Sequence, residues 1–387
     1  MTCFSCFFSQ KTASSVKRTV EIDEVVSGIS NLKLYTYKEL QLATENFSEG
    51  NKIGEGGFGS VYKGRLKDAS LAAIKVLSGD SRQGLREFLT EIEVIASVDH
   101  ENLVKLYGCC AEGNHRILVY GYLENNSLAH TLLGGGQSSI QFSWHARCKI
   151  CIGVARGLAY LHEDVQPHII HRDIKASNIL LDKDLSPKIS DFGLAKFIAP
   201  NLTHVSTRVA GTAGYLAPEY AIRGQVTRKA DIYSFGVLIL EIVSGRCNTN
   251  RRLPAKEQYL LERVWELHER GQLVELVDAS LNGDMNVEEA CRYMKIGLLC
   301  TQDKPKLRPS MSTVEKMLTG EISVDDEKID RPGMLSEFMD QKHLADAKHS
   351  SYSKSPSGKI LNSSSSSEII TTSFATMTFN SIYDRSN

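Results

Sequence analysis

Between Ile232 and Val243 the chain reads IYSFGVLILEIV, apolar on nearly every face of a helix. A helix with that pattern has no side to offer water, so it belongs in the middle of a lobe thick enough to surround it. Gly245, just past it, suits the left-handed residue that commonly ends a helix. Nothing in the sequence forms an uninterrupted apolar run of bilayer length, which argues against a membrane-spanning receptor. At 387 residues the chain can supply two lobes and a large core.

Upstream, the pattern is of strands. Ser60–Lys63 and Leu71–Leu77 (LAAIKVL) read as strands, and Leu85, Phe88, Leu89, Ile92 and Ile95 then fall on one helical face between Leu85 and Val98. Strands first and helices later predict an α+β fold of two unlike lobes with a ligand cleft between them. The expected organisation is a flexible, mildly basic arm over 1–35, a lead-in over 36–46, a folded domain over 47–320 divided near residue 121, and a Ser/Thr-rich disordered tail over 321–387 that contains the run Ser363–Ser367. Lys+Arg 45 against Asp+Glu 46 leaves a formal charge of -1, so no global field points to nucleic acid. Nine cysteines, an odd number over a long chain, fit reduced thiols. Cys148 and Cys151 form a CxxC without a second pair, and they stand among helically spaced apolar residues. With Cys109 and Cys110 they read as core.

The chemistry begins at GEGGFGSVYKG, Gly54 to Gly64. Five glycines in eleven residues raise the cost of ordering the segment, so it should serve close backbone approach to a group such as phosphate. Gly54, Gly56 and Gly59 also fit a dinucleotide-binding turn, but that fold passes at once into a helix, and strands follow here. Lys75 then stands in an apolar strand, where an unpaired charge would be costly. Its expected partners are ATP phosphates and a carboxylate from the first long helix, with Glu91 the best placed. His171 to Asn178 reads HRDIKASN. In it Asp173 could take a proton from an attacking hydroxyl, and Asn178 offers a neutral oxygen to a metal ion. Asp191, in Asp191-Phe-Gly193, supplies a carboxylate for Mg2+.

In this order the islands resemble the protein kinase signature set. The resemblance runs from about Phe47 to Gly320 and includes Ala217-Pro-Glu219, Asp231 and Arg308. It implies a bilobal kinase fold with a small antiparallel-sheet N-lobe over 47–121, carrying one main helix, and a larger, mostly helical C-lobe over 122–320. It implies further that Asp173 is the catalytic base, that Lys175 and Thr212 are the Ser/Thr-kinase versions of their loops, and that Lys75 and Glu91 position ATP. Asn178 and Asp191 would hold Mg2+. Ile53, Val61, Ala73, Tyr120 and Leu180 would enclose the adenine, beneath a loop of Gly54, Glu55, Gly56, Gly57, Phe58, Gly59 and Ser60. Glu219 with Arg308 would be a structural ion pair, Asp231 and His171 braces of the catalytic loop. A pseudokinase scaffold is the alternative, although Lys75, Asp173, Asn178 and Asp191 are all present.

The phrases YTYKELQLATENFSEGNKIG, LVYGYLENNSL and GVARGLAYLHE resemble plant receptor-like kinases, best the receptor-like cytoplasmic group and its cold-responsive protein kinase branch. Gly121, where such kinases commonly carry Glu, is a departure that bears on hinge stiffness. The implied partners are protein substrates and membrane receptor kinases, at the cytoplasmic face of the plasma membrane or in the cytoplasm. Ser206 or Thr207 is the expected autophosphorylation site near Arg172, with Thr212 modified or aligning substrate. Thr2 excludes N-myristoylation by motif, whereas acylated Cys3 and Cys6, with Lys11, Lys17 and Arg18, would supply the two signals that stable anchoring takes. Ser355, before Pro356, is a further candidate phosphosite.

Overall fold

The computed structural model describes residues 32–56, 59–77, 82–134, 139–281, 283 and 285–334. Gly57, Phe58, Cys3, Cys6, Lys11, Lys17, Arg18, Ser355 and the serine run lie outside them. The N-lobe is a six-stranded sheet in the order β1-β5-β6-β4-β3-β2. Its strands are β1 (Lys33–Leu34), β2 (Lys52–Gly56), β3 (Gly59–Arg65), β4 (Leu71–Leu77), β5 (Leu106–Cys110) and β6 (Ile117–Gly121). All pairings are antiparallel except β1 on β5. One long helix, Arg82–Ala96, turns Phe88 and Ile92 into the lobe's interior.

The end of the expected arm differs from the structure. Lys33 and Leu34 pair with Gly108 and Cys109, and Tyr35 N donates to Cys109 O at 2.9 Å. A helix then follows at Tyr37–Ala43, capped reciprocally by Thr36 and Glu39. We label it α1 and the long helix α2. Tyr37 stacks on His115 with ring centroids 3.7 Å apart, so this lead-in is fastened to the sheet. A two-residue strand has no period of its own; its long-range partner makes it.

The C-lobe is helical. It comprises α3 (Leu128–Thr131), α4 (Trp144–Ala159), α5 (Pro218–Arg223), α6 (Arg228–Ser244), α7 (Leu260–Glu269), α8 (Val287–Thr301) and α9 (Met311–Thr319). The apolar run lies in α6, where every residue from Ala230 to Ser244 is buried. Gly245 ends it at φ 64, its N–H donating to Glu241 O. Close packing of α6 on α8 depends on Gly236, because a Cβ there would stand 2.8 Å from Gly297 O. Short strand pairs β7 (His168–Ile170) with β10 (Lys196–Ile198), and β8 (Ile179–Leu181) with β9 (Pro187–Ile189), set the loops beneath the cleft. Cys109, Cys110 and Cys151 are buried and Cys148 half-buried, all as free thiols. Burial pushes the Cys148 thiol up to about 11, which suits packing and not reactivity.

Arg308, 1% exposed, grips Glu219 with both terminal guanidinium nitrogens, at 2.7 and 2.9 Å, and donates to Lys229 O at 2.9 Å. This joins α5 to the start of α6. Glu219→Ala leaves that buried guanidinium without its counter-charge, so unfolding free energy should fall by about 3–5 kcal/mol. Urea denaturation followed by fluorescence of Trp144 and Trp265, both in the C-lobe, reads the change; a loss below about 1 kcal/mol would contradict it.

Candidate active site

A cavity of about 430 Å³ opens between the lobes. Ile53, Val61, Ala73, Tyr120 and Leu180 form its apolar walls, and Gly54 lines its roof side. Val104 joins them; the sequence reading missed it because nothing distinguishes it from its apolar neighbours. Glu55, Gly56, Gly59 and Ser60 lie in the β2–β3 hairpin and do not line the cavity. Gly59 has a different reason to be glycine. Its φ is 128, and a Cβ there would lie 2.0 Å from Val76 O, so no side chain allows β3 to begin this close to β4. At Gly121 the Tyr107 ring fills the space of a side chain, since a Cβ would come within 3.0 Å of its hydroxyl oxygen.

Three charged groups meet at the back. Lys75 Nζ donates to Glu91 Oε2 at 3.0 Å and to Asp191 Oδ1 at 2.8 Å. Burial alone would drive the ammonium towards neutrality, but the Asp191 and Glu91 carboxylates outweigh it and hold its pKa above the ordinary 10.5. Burial pushes Glu91 up, whereas at Asp191 Lys75 overcomes burial and holds the carboxyl low. The Tyr120 hydroxyl also donates to Glu91. That bond is not visible in the sequence, because Tyr120 reads only as a wall residue. Asp191 sits at φ 68, a left-handed conformation that a non-glycine side chain adopts only under constraint.

Below, Asp173 is 4% exposed and surrounded by donors. Thr212 Oγ1 donates to its Oδ1 at 2.7 Å, and Lys175 Nζ donates to its Oδ2 at 2.8 Å and to Thr212 Oγ1 at 2.8 Å. Asn178 Nδ2 donates to Asp173 O at 2.9 Å, which leaves its amide oxygen as the acceptor it can offer the cavity. Asn178 and Asp191 together present hard oxygen donors beside Lys75, a set that fits a divalent cation shared with phosphate oxygens. Among the described residues no cluster of three or more His, Cys, Asp or Glu forms a metal cage of its own.

The loop carrying these groups hangs from α6. Asp231 accepts the His171 and Arg172 backbone N–H groups at 2.7 and 2.8 Å, and His162 Nε2 lies 2.9 Å away. Burial would raise the Asp231 carboxyl, but these donors, His162 foremost, hold it low. His171 packs edge-on against Phe192 and reaches Ser190 O, which makes it a brace. Arg172 already ties down the stretch from Leu194 to Tyr220 through neutral acceptors, Leu194 O, Arg208 O and the Tyr220 hydroxyl. Ser206 is exposed and Thr207 half-exposed, where a phosphate would have to compete for that guanidinium.

Glu241 was also missed, although a lone acid inside IYSFGVLILEIV could have pointed to it. It is 1% exposed; Tyr215 Oη donates to one oxygen at 2.6 Å and Asn248 N to the other at 2.7 Å. Tyr215 follows Thr212 in the segment that meets Asp173, so this acid fixes that segment from below.

The protein kinase domain family model matches residues 47–318. The chain is 70% identical over 328 residues, 84% of each sequence, to Cold-responsive protein kinase 1 of Arabidopsis thaliana. It is 53% identical over 322 residues to a probable LRR receptor-like serine/threonine-protein kinase of that plant, covering 83% of this chain and 31% of the relative. Another such kinase is 57% identical over 290 residues, 75% of this chain and 28% of its own length. The chain thus spans about a third of the receptor-like relatives. None of the described helices is long and apolar enough to cross a membrane.

Burial raises Glu241 from the ordinary 4.5 to about 7, against the opposing pull of its two donors. The native state therefore binds a proton there that the unfolded chain has released, and this group's contribution to stability falls as pH rises from about 4.5 to about 7. Relative to Glu241→Gln, the native protein should lose about 3 kcal/mol of unfolding free energy between pH 5 and 8. Urea titrations of both proteins measure the difference; a constant gap across that range would contradict it.

Proposed function

This chain belongs to the protein kinase family as a serine/threonine-protein kinase, and we propose that its cleft transfers the terminal phosphoryl group of ATP to Ser or Thr hydroxyls of proteins in plant signalling. One observation carries the assignment of roles. A hydroxyl, that of Thr212, already donates to Asp173 Oδ1 at 2.7 Å while Lys175 stands 2.8 Å from both partners. A substrate hydroxyl entering in its place gives its proton to the same carboxylate, with Lys175 balancing the charge. Lys75, held between Glu91 and Asp191, orients the phosphates. Ile53, Val61, Ala73, Tyr120 and Leu180 take the adenine, and the β2–β3 hairpin covers it. Asn178 and Asp191 are the ligands for Mg2+, which when bound neutralises triphosphate oxygens.

Thr207 or Ser206 is the autophosphorylation position, a phosphate there adding negative charge near Arg172. Thr212 aligns substrate through Asp173. Similarity to receptor-like kinases supports a role beside membrane receptors, and Cys3 and Cys6 as acylation sites would place the protein on the membrane surface. Transfer of labelled phosphate from ATP and Mg2+ to itself or a protein acceptor tests the reading. Asp173→Asn should lower kcat by about 100-fold or more while nucleotide still raises the melting temperature. Transfer undiminished in the variant would remove Asp173 from the role of base, and nucleotide binding without transfer in the unaltered protein would favour a scaffold.

A further inference from the structure

Between α6 and α7 the chain reads GRCNTNRRLPAKEQY, Gly245 to Tyr259, with Arg246, Arg251, Arg252 and Lys256 against the single carboxylate of Glu257. Arg251, Arg252 and Lys256 are exposed, and Arg246 lies 3.7 Å from Glu257. The segment is not a loose connector. Asn250 N donates to Gln258 O at 2.8 Å, Leu260 N donates to Asn248 O at 2.9 Å, and Thr249 bridges to Tyr259 across the turn.

Its position relative to the acceptor site is fixed twice over. Glu241 takes the Asn248 N–H on one oxygen and the Tyr215 hydroxyl on the other, so one buried acid holds this loop and the segment beside Asp173 in register. Gly214 packs directly on it, since a Cβ there would come within 2.8 Å of Asn248 Oδ1 and 3.4 Å of Thr249 Oγ1. Two residues before Gly214, Thr212 touches Asp173. Paired guanidinium groups favour carboxylates and phosphates, whose planar or trigonal oxygens match their donors.

Resting on the kinase reading above, we infer that this loop selects protein substrates carrying anionic side chains, carboxylate or phosphorylated, next to the acceptor Ser or Thr on the Gly214 side. Lysine-rich substrates are disfavoured there by the same charges.

The test is a set of peptides sharing one acceptor serine and differing only in two flanking positions: glutamine, glutamate, phosphoserine or lysine. The ratio of kcat/KM for anionic over glutamine peptide should be about tenfold, as two or three exposed charge contacts provide, and should shrink with added salt. In the Arg251→Glu, Arg252→Glu variant the ratio should fall to about one or below. Being a ratio, it is unaffected by partial loss of folded protein, and the milder Arg252→Gln variant should lower it by a smaller factor. A phosphoserine peptide outpacing the glutamate peptide assigns the loop to previously phosphorylated substrates, and equal rates assign it to acidic segments. Equal use of all four peptides, or an anionic preference that persists in the double variant, overturns the inference and leaves the kinase reading intact. Failure to phosphorylate even the glutamine peptide, or any protein, would instead sink the kinase reading and this inference with it.

Discussion

One ammonium, that of Lys75, donates to carboxylates from both lobes and so ties them to a single point. Glu91 comes from the N-lobe helix α2 and Asp191 from the loop beneath the cleft. Two acids brought together here, Glu91 buried and Asp191 half-buried, repel and lose hydration; the cation between them offsets both costs. Its consequence is geometric. The position of α2 against the sheet and the strained backbone at Asp191 are fixed by the same contact, so the cavity between the lobes is organised by charge as well as by apolar walls.

On the other side of the cleft, α6 does for the loops what Lys75 does for the lobes. Asp231 at its start receives the His171 and Arg172 backbone N–H groups, Ser234 Oγ donates to Tyr215 O at 2.7 Å, and Glu241 near its end receives the Tyr215 hydroxyl. Arg147 reaches across from α4 to the Ile242 carbonyl at 2.8 Å. A helix apolar all round is rigidly buried, and polar groups placed at intervals along it can therefore set the loops above with little freedom. The basic loop after α6 inherits its position from the same scaffold through Asn248.

Much of this could be read from the residues because the signals are local. The apolar run at 232–243, the strand Leu71–Leu77 and the face Leu85–Ile95 each announce their element by period, and HRDIKASN brings Asp173 and Asn178 within one loop. What stayed hidden depends on distant pairs. Lys33 becomes a strand only through Gly108, 75 positions away, and Tyr120 and Glu91 share a hydrogen bond that no spacing reveals. Glu241 was concealed by the apolar company that gives it its function. Glu55, Gly56, Gly59 and Ser60 were grouped with the nucleotide site by motif, and in the structure they shape the hairpin without lining the cavity.

Lys75 and Glu91 act as one unit. The most direct measurement is a double-mutant cycle on kcat/KM for phosphate transfer with Lys75→Met, Glu91→Gln and the pair combined. Each single change should cost on the order of 100-fold, as loss of a preorganised charge does, and the combination should be scarcely worse than either alone. Losses that simply multiply in the double variant, or a Lys75→Met protein that transfers phosphate at the native rate, would contradict it.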